Sequence, residues 1–443
     1  MMRSWTFFLL GLAPVVVAAQ EGRTLELSLK RAVEMAISPE GGARIQIAGE
    51  AVKQAESRAA QARSALLPGV ESSVSQQSMT RNLAALGIRF DVPIPGFHFP
   101  TLVGPFNVFD VRATATQSIF DFSSIRRYQA SRVGVRAARS EGTAAEDQVA
   151  AQVAKAYVAA LRAEADVEAA QADVTLAEAV LKQAGNLKSA GTGTGIEVTR
   201  ARVQLSNEKQ RLLVAHNGRR RTHLELLRAM GLRLDTTLVL TDKLTYTPAD
   251  AMTLEQAKLE ALKSRADLTA QQQREDNARL AGSATRMERL PSLAGFADYG
   301  SIGSSINHAL PTRTYGVSLR VPIFDGGRRD ARRAEAASQF RQEQIRTHDL
   351  KDQVELEVRL ALDALASAEE QVQVADEGLS LAQNELTQAR RRYEAGVANG
   401  LEVTDAQTRL ERARDNQIAA LFSYNQARID VGQATGTIRR MIQ

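Results

Sequence analysis

The sequence predicts a mainly α fold with a small membrane β-barrel portion, written as two tandem copies of one helix–hairpin–helix plan. Three observations predict it. The second half repeats the first at a nearly fixed spacing, each half holds a sustained heptad run, and each half holds a pair of strand-like segments, clearest as period-two alternation at 315–323.

The chain opens with Arg3, an apolar run from Trp5 to Val17 broken by Pro14, and small residues at Val17-Ala18-Ala19. That is the layout of a secretory signal peptide over 1–19, with Gln20 as the mature start. The run is shorter than the roughly 20 residues that a spanning helix needs. No later stretch is apolar for that long, so a membrane-spanning part has to be a β-barrel. The chain has no cysteine, which excludes a disulfide framework, a thiol nucleophile, a Cys–zinc site and a lipid on an N-terminal Cys. A net charge of +5 over 443 residues is small. Its bases alternate with acids along helices, so no nucleic-acid partner is expected.

The repeat sets the boundaries. Ala190-Gly191 through Gly195-Ile196-Glu197-Val198-Thr199 aligns without gaps on Ala395-Gly396 through Gly400-Leu401-Glu402-Val403-Thr404. The same spacing carries Leu205 onto Leu410 and Gly231 onto Gly436. The first repeat is assigned to 20–234, a linker to 235–249, the second repeat to 250–437 and a C-terminal tail to 438–443. The halves differ mostly in the first hairpin, whose insert carries Pro93, Pro95, Gly96, Pro100, Gly104 and Pro105. Such residues punctuate loops.

Within each half a long helix is expected, over 123–187 and 328–392, each on the order of 100 Å at 1.5 Å per residue. One seam of the first holds Val153, Ala160, Val167, Val174 and Leu181, and the other Val149, Ala156, Ala163, Ala170 and Ala177. Val358, Leu365, Val372, Leu379 and Leu386, with Val354, Ala361, Ala368, Ala375 and Ala382, repeat that register. Sustained heptads argue for coiled-coil packing. Strands are expected at 67–78, 106–120, 290–302 and 313–324. Tyr315, Val317, Leu319, Val321 and Ile323 form an apolar face that is read as lipid-facing. Four strands are too few to close a barrel alone, because single-chain barrels begin at about 8.

The pattern resembles the TolC family of outer-membrane efflux proteins. The resemblance rests on Leu290-Pro291-Ser292-Leu293, on Val321-Pro322-Ile323-Phe324-Asp325-Gly326-Gly327, on the tip Arg392-Tyr393-Glu394-Ala395-Gly396 and on Leu401-Glu402-Val403-Thr404-Asp405-Ala406-Gln407. It covers essentially all of the mature chain. It implies a homotrimer in which three chains build one twelve-stranded β-barrel in outer-membrane lipid of a Gram-negative cell, continued by a periplasmic α-barrel. It implies a periplasmic adaptor and an inner-membrane pump of the RND, ABC or MFS class as partners. It implies no cofactor.

The resemblance also marks the periplasmic mouth. Glu197, Tyr393, Glu402 and Asp405 match the family's aperture positions. Glu402 and Asp405 lie at i and i+3, on one helix face. Three copies would form an acidic ring of the kind that selects cations. The same acids also suit the first turn of a helix starting near Gly400. The family's basic constriction residue falls near Ala398, so this mouth is expected to close differently. The tips bounded by Gly191, Gly195, Gly396 and Gly400 read as helix–helix turns where an adaptor docks. No catalytic, cofactor or metal residue is expected, since no Ser–His–Asp set, P-loop or metal spacing is present. The competing reading is a periplasmic coiled-coil structural or adaptor protein without a pore. Adaptors normally carry one hairpin joined to β-domains, whereas this sequence has two hairpins and no β-domain to spare.

Overall fold

The computed structural model describes residues 24–88, 100–249 and 252–442. The expected signal peptide, the insert residues Pro93, Pro95 and Gly96, and His98 lie outside the described residues.

The first half runs β1 (Thr24–Leu27), α1 (Leu29–Ile37), α2 (Ala43–Ser64), β2 (Gly69–Asn82), β3 (Leu102–Phe120), α3 (Phe122–Ser189) and α4 (Gly195–Met230). After β4 (Thr237–Leu240), the second runs α5 (Leu254–Ser264), α6 (Ala266–Met287), β5 (Ser292–Gly303), β6 (Leu310–Arg320), α7 (Arg328–Glu394), α8 (Gly400–Ala434) and α9 (Ile438–Ile442). The long helices have 68 and 67 residues, or about 100 Å each. Their heptad seams face inward. Val149, Val153, Ala160, Ala163, Ala170, Val174 and Ala177 are buried in α3, as are Val354, Val358, Ala361, Ala368, Val372, Ala382 and Leu386 in α7. With alanine on one side of the seam, the partner helix packs close and the hairpins stay slender.

The four long strands form one antiparallel sheet in the order β2-β3-β5-β6. The two halves join at β3–β5, where Phe109 lies opposite Gly303 and Phe120 opposite Leu293. The strand limits differ from the sequence reading mainly in the first hairpin, where β2 also runs on to Asn82, and in β6, which begins at Leu310. β3 starts at Leu102, which lengthens the first hairpin. β6 stops at Arg320, so Val321 and Ile323 lie beyond the strand to which they were assigned. Pro322 has no N–H to give a ladder, and Gly326 and Gly327 then turn the chain at φ +67° and +84°.

The stretches assigned to the linker and the tail each hold structure of their own. Residues 235–249 contain β4, which pairs in parallel with β1 from Thr24↔Thr237 to Leu27↔Leu240. Asp242 Oδ2 accepts from the Leu29 N–H at 2.8 Å and from the Tyr157 hydroxyl at 2.8 Å. Further on, the Tyr246 hydroxyl donates to Glu369 at 2.7 Å and the Tyr424 hydroxyl to the Thr247 carbonyl at 2.9 Å. The expected tail folds as α9. Ile438 is fully buried in one core with Leu27, Tyr157, Leu226 and Leu238, and Arg439 donates to Asp147 at 2.6 Å. Periodicity gave no sign of either, because both segments are shorter than one reliable period window.

Gly231 and Gly436, matched by the repeat, do the same job in each half. Both have positive φ, +74° and +71°. A Cβ on Gly231 would sit 2.7 Å from Gly42 Cα, and one on Gly436 would sit 2.9 Å from the Arg265 nitrogen. Each glycine ends its half's last long helix, α4 or α8, against the joint between that half's first two helices. Gly231→Ala and Gly436→Ala are each expected to lower stability by at least about 1 kcal/mol. Gly218→Ala, inside α4 with open space around it, is the control and is expected to stabilise by about 0.5–1 kcal/mol. Thermal unfolding followed by circular dichroism separates the two outcomes.

Candidate functional site

Three places in this architecture carry chemistry. They are the hairpin tips, a charged seam between the hairpins, and the two faces of the sheet.

At each tip a long helix ends in a glycine at positive φ, Gly191 at +78° and Gly396 at +73°. The Thr192 N–H returns to the Leu187 carbonyl at 3.0 Å, and the Val397 N–H to the Arg392 carbonyl at 3.0 Å. Both are six-to-one helix-ending bonds that glycine permits. Gly195 and Gly400 instead open α4 and α8 and have no positive φ, so left-handed backbone does not account for them. Glu197 closes a capping box with Thr194, whose N–H it accepts at 3.0 Å. It also meets the Gly400 N–H of the other tip. These backbone bonds hold its carboxyl below the usual range. Glu197 thus ties the start of α4 to the start of α8.

Tyr393 is 6% exposed, packed with Leu386, Ala389, Val403, Ala406 and Leu410. It therefore fills the hairpin's own core. Burial, with the Glu197 charge second, raises its phenol. Glu402 is paired, its Oε1 lying 2.9 Å from Arg392 Nε. Sequence reading missed this pair because it sought the base near Ala398. Arg392 comes from the other helix of the hairpin, and the turn folds it back onto α8. Asp405 is exposed and has no side-chain partner among the described residues, which makes it the free one of the three predicted acids.

Farther along, α8 meets α3 and α4 through charges that no sequence motif announced. Glu208 and Glu411 share two donors. Gln204 Nε2 lies 2.6 Å from Glu208 and 3.5 Å from Glu411, and Arg211 Nη1 lies 3.3 Å and 3.2 Å from them. Arg211 also reaches Asp415 at 3.1 Å, and Arg414 reaches the buried Asp173 at 2.5 Å. Four carboxyls face two guanidiniums. Burial, reinforced by the Glu208 and Asp173 charges, pushes Glu411 up to about 7. Two carboxyls in one shielded site do not both ionise readily.

The sheet has two unlike faces. Pairing aligns Val70, Val74, Val111, Ala115, Ala297 and Tyr315 on one side, with Val317 and Leu319 continuing it. The other side carries Glu71, Thr114, Asp298 and Thr314. There Arg112 bridges Asp110 at 2.8 Å and Asp298 at 3.4 Å. The apolar face is uncovered within one chain, Tyr315 being 79% exposed. Beyond the strand, Val321 and Ile323 are exposed too.

A sequence model described as outer membrane efflux protein matches residues 43–232 and 259–437. The pyoverdine export outer membrane protein OpmQ of Pseudomonas putida is 27% identical over 291 residues. That alignment takes in 64% of this chain and 61% of the relative, so the chain spans about three fifths of the curated relative it matches. The CmeC outer membrane channel of Campylobacter jejuni superposes with a TM-score of 0.76 at 17% identity, covering 92% of this chain and 85% of that one. VceC of Vibrio cholerae superposes at 0.75 and 17% identity, covering 92% and 96%. At such identities the likeness establishes the fold.

The seam gives a pH dependence. Glu411 titrates near 7 in the folded chain, above the ordinary 4.5. Its contribution is therefore fully present below the ordinary value and is lost as pH rises through about 7. The thermal midpoint is expected to fall between about pH 4.5 and about pH 7, and Glu411→Gln should flatten that fall. An equal slope in the variant would remove Glu411 as its cause.

Proposed function

The chain belongs to the outer membrane efflux protein family, and from that membership we propose that it is one subunit of a trimeric export duct. The observation that carries this reading is the sheet. It has four strands, two open edges at β2 and β6, one apolar face and one charged face. Neither water nor lipid suits all of these at once. Three copies joined edge to edge give twelve strands with no free edge, which satisfies every ladder group in hydrocarbon. The apolar face, with Tyr315, Val317 and Leu319, turns to lipid. The face with Arg112, Asp110 and Asp298 lines water.

The helical hairpins then continue the lumen into the periplasm. The tips at Gly191, Gly195, Gly396 and Gly400 are the docking places for a periplasmic adaptor. An inner-membrane pump of the RND, ABC or MFS class supplies the energy and chooses the cargo. At the mouth Asp405 supplies free negative charge. Glu402, held by Arg392, and Glu197, held by two helix starts, keep the tips together, and Tyr393 braces them from within.

Single-channel recording in planar bilayers tests this. The channel is expected to prefer cations, and Asp405→Asn should reduce the cation-to-anion permeability ratio by about twofold or more. An unchanged ratio would leave Asp405 as a helix-start charge. Protein that stays soluble and passes no current would overturn the duct.

A further inference from the structure

All four strand–helix junctions lie at one end of the sheet. The start of β2 is beside the end of β3, the end of β3 beside the start of β5, and the start of β5 beside the end of β6. The segments at this level, 63–69, 120–127, 286–292 and 320–333, contain ten arginines, no lysine, and the four carboxylates Asp121, Glu288, Asp325 and Asp330. That excess of six positive charges exceeds the +5 of the whole chain. The remainder of the molecule is therefore close to neutral, and its basicity is concentrated in one belt.

The carboxylates in the belt are already engaged. Glu288 takes both Arg127 and Arg332, Asp330 takes Arg289, and Asp325 lies 3.5 Å from Arg329. Arg286, Arg320, Arg328 and Arg333 are exposed and meet no carboxylate among the described residues. Beside them stand apolar side chains in the open. Ile323 is 94% and Phe324 87% exposed, and Phe120 and Phe122 stack edge-on with centroids 4.2 Å apart. Unbalanced guanidiniums call for anions, and their planar fork matches phosphate. Exposed rings and branched chains at the same level call for hydrocarbon. A free phosphate would answer the first need and leave the second in water.

We propose that this belt seats anionic phospholipid headgroups of the leaflet on the helix side of the barrel. The arginines take the phosphates, and Ile323, Phe324 and Phe122 take the acyl chains beneath them. The inference rests on the reading of the sheet as membrane-embedded and adds a lipid preference to it.

The only tryptophan is Trp5, inside the expected signal peptide, so Phe324→Trp gives the mature chain one fluorophore within the belt. The variant is reconstituted into vesicles of brominated phosphatidylglycerol or brominated phosphatidylcholine, and quenching gives relative lipid binding. Phosphatidylglycerol is expected to bind about threefold more strongly. Adding Arg320→Gln, Arg328→Gln and Arg333→Gln should bring the ratio to about one. Salt near about 1 M should do the same without touching the fold. Equal quenching by both lipids in the arginine-intact protein would overturn the headgroup preference and leave the duct standing. A preference that survives both the glutamine variant and salt would overturn it as well. No quenching by either lipid would overturn the embedded sheet along with the belt.

Discussion

The rest of the structure depends on one constraint, which is that backbone groups removed from water must find partners. The sheet β2-β3-β5-β6 meets it along three ladders and leaves β2 and β6 open. An open edge cannot persist in hydrocarbon, and in water it is a template for indiscriminate pairing. One chain is therefore an incomplete object. Its duplicated plan brings two hairpins side by side, and further copies are needed to complete the ladder. The helices α2, α3, α6 and α7 all meet the sheet at one end, so closure of the strands would also fix the spacing of those helices.

The hairpins carry that order away from the membrane by different means. Alanine seams keep the helices close, and the contacts between hairpins are partly apolar, with Leu176, Val180 and Leu187 of α3 against the α7–α8 core, and partly charged. Asp173, Glu208, Arg211, Glu411 and Arg414 join α8 to α3 and α4, and Glu197 joins the two tips. Charged contacts of this kind depend on geometry and protonation far more than apolar packing does.

Much of this was legible in the sequence wherever a pattern repeats. The heptads located α3 and α7 to within about two residues, inside the usual uncertainty of helix ends. The period-two run located β6, and the repeat paired Gly231 with Gly436, which the structure places at equivalent joints. What escaped was whatever depends on folding back. Arg392 and Glu402 are separated by a turn, so no helical spacing links them. Glu208 and Glu411 come from different halves and meet only when the hairpins pack. The linker gave no periodic signal because its structure, β4 and the bonds of Asp242 and Tyr246, is made with elements far away in the chain. Tyr393 was assigned to the aperture through the family resemblance, and its ring fills the hairpin's own core.

The core at the waist draws on Leu27 near one end of the described chain and on Ile438 near the other, with Tyr157, Leu226 and Leu238 between them. Such a core has the longest loops to close, and pairings of that kind form slowly. The hairpins can zip from their own turns, but the waist cannot set until the last helix has arrived. Contact order thus favours the slender arms forming before the core that gathers them.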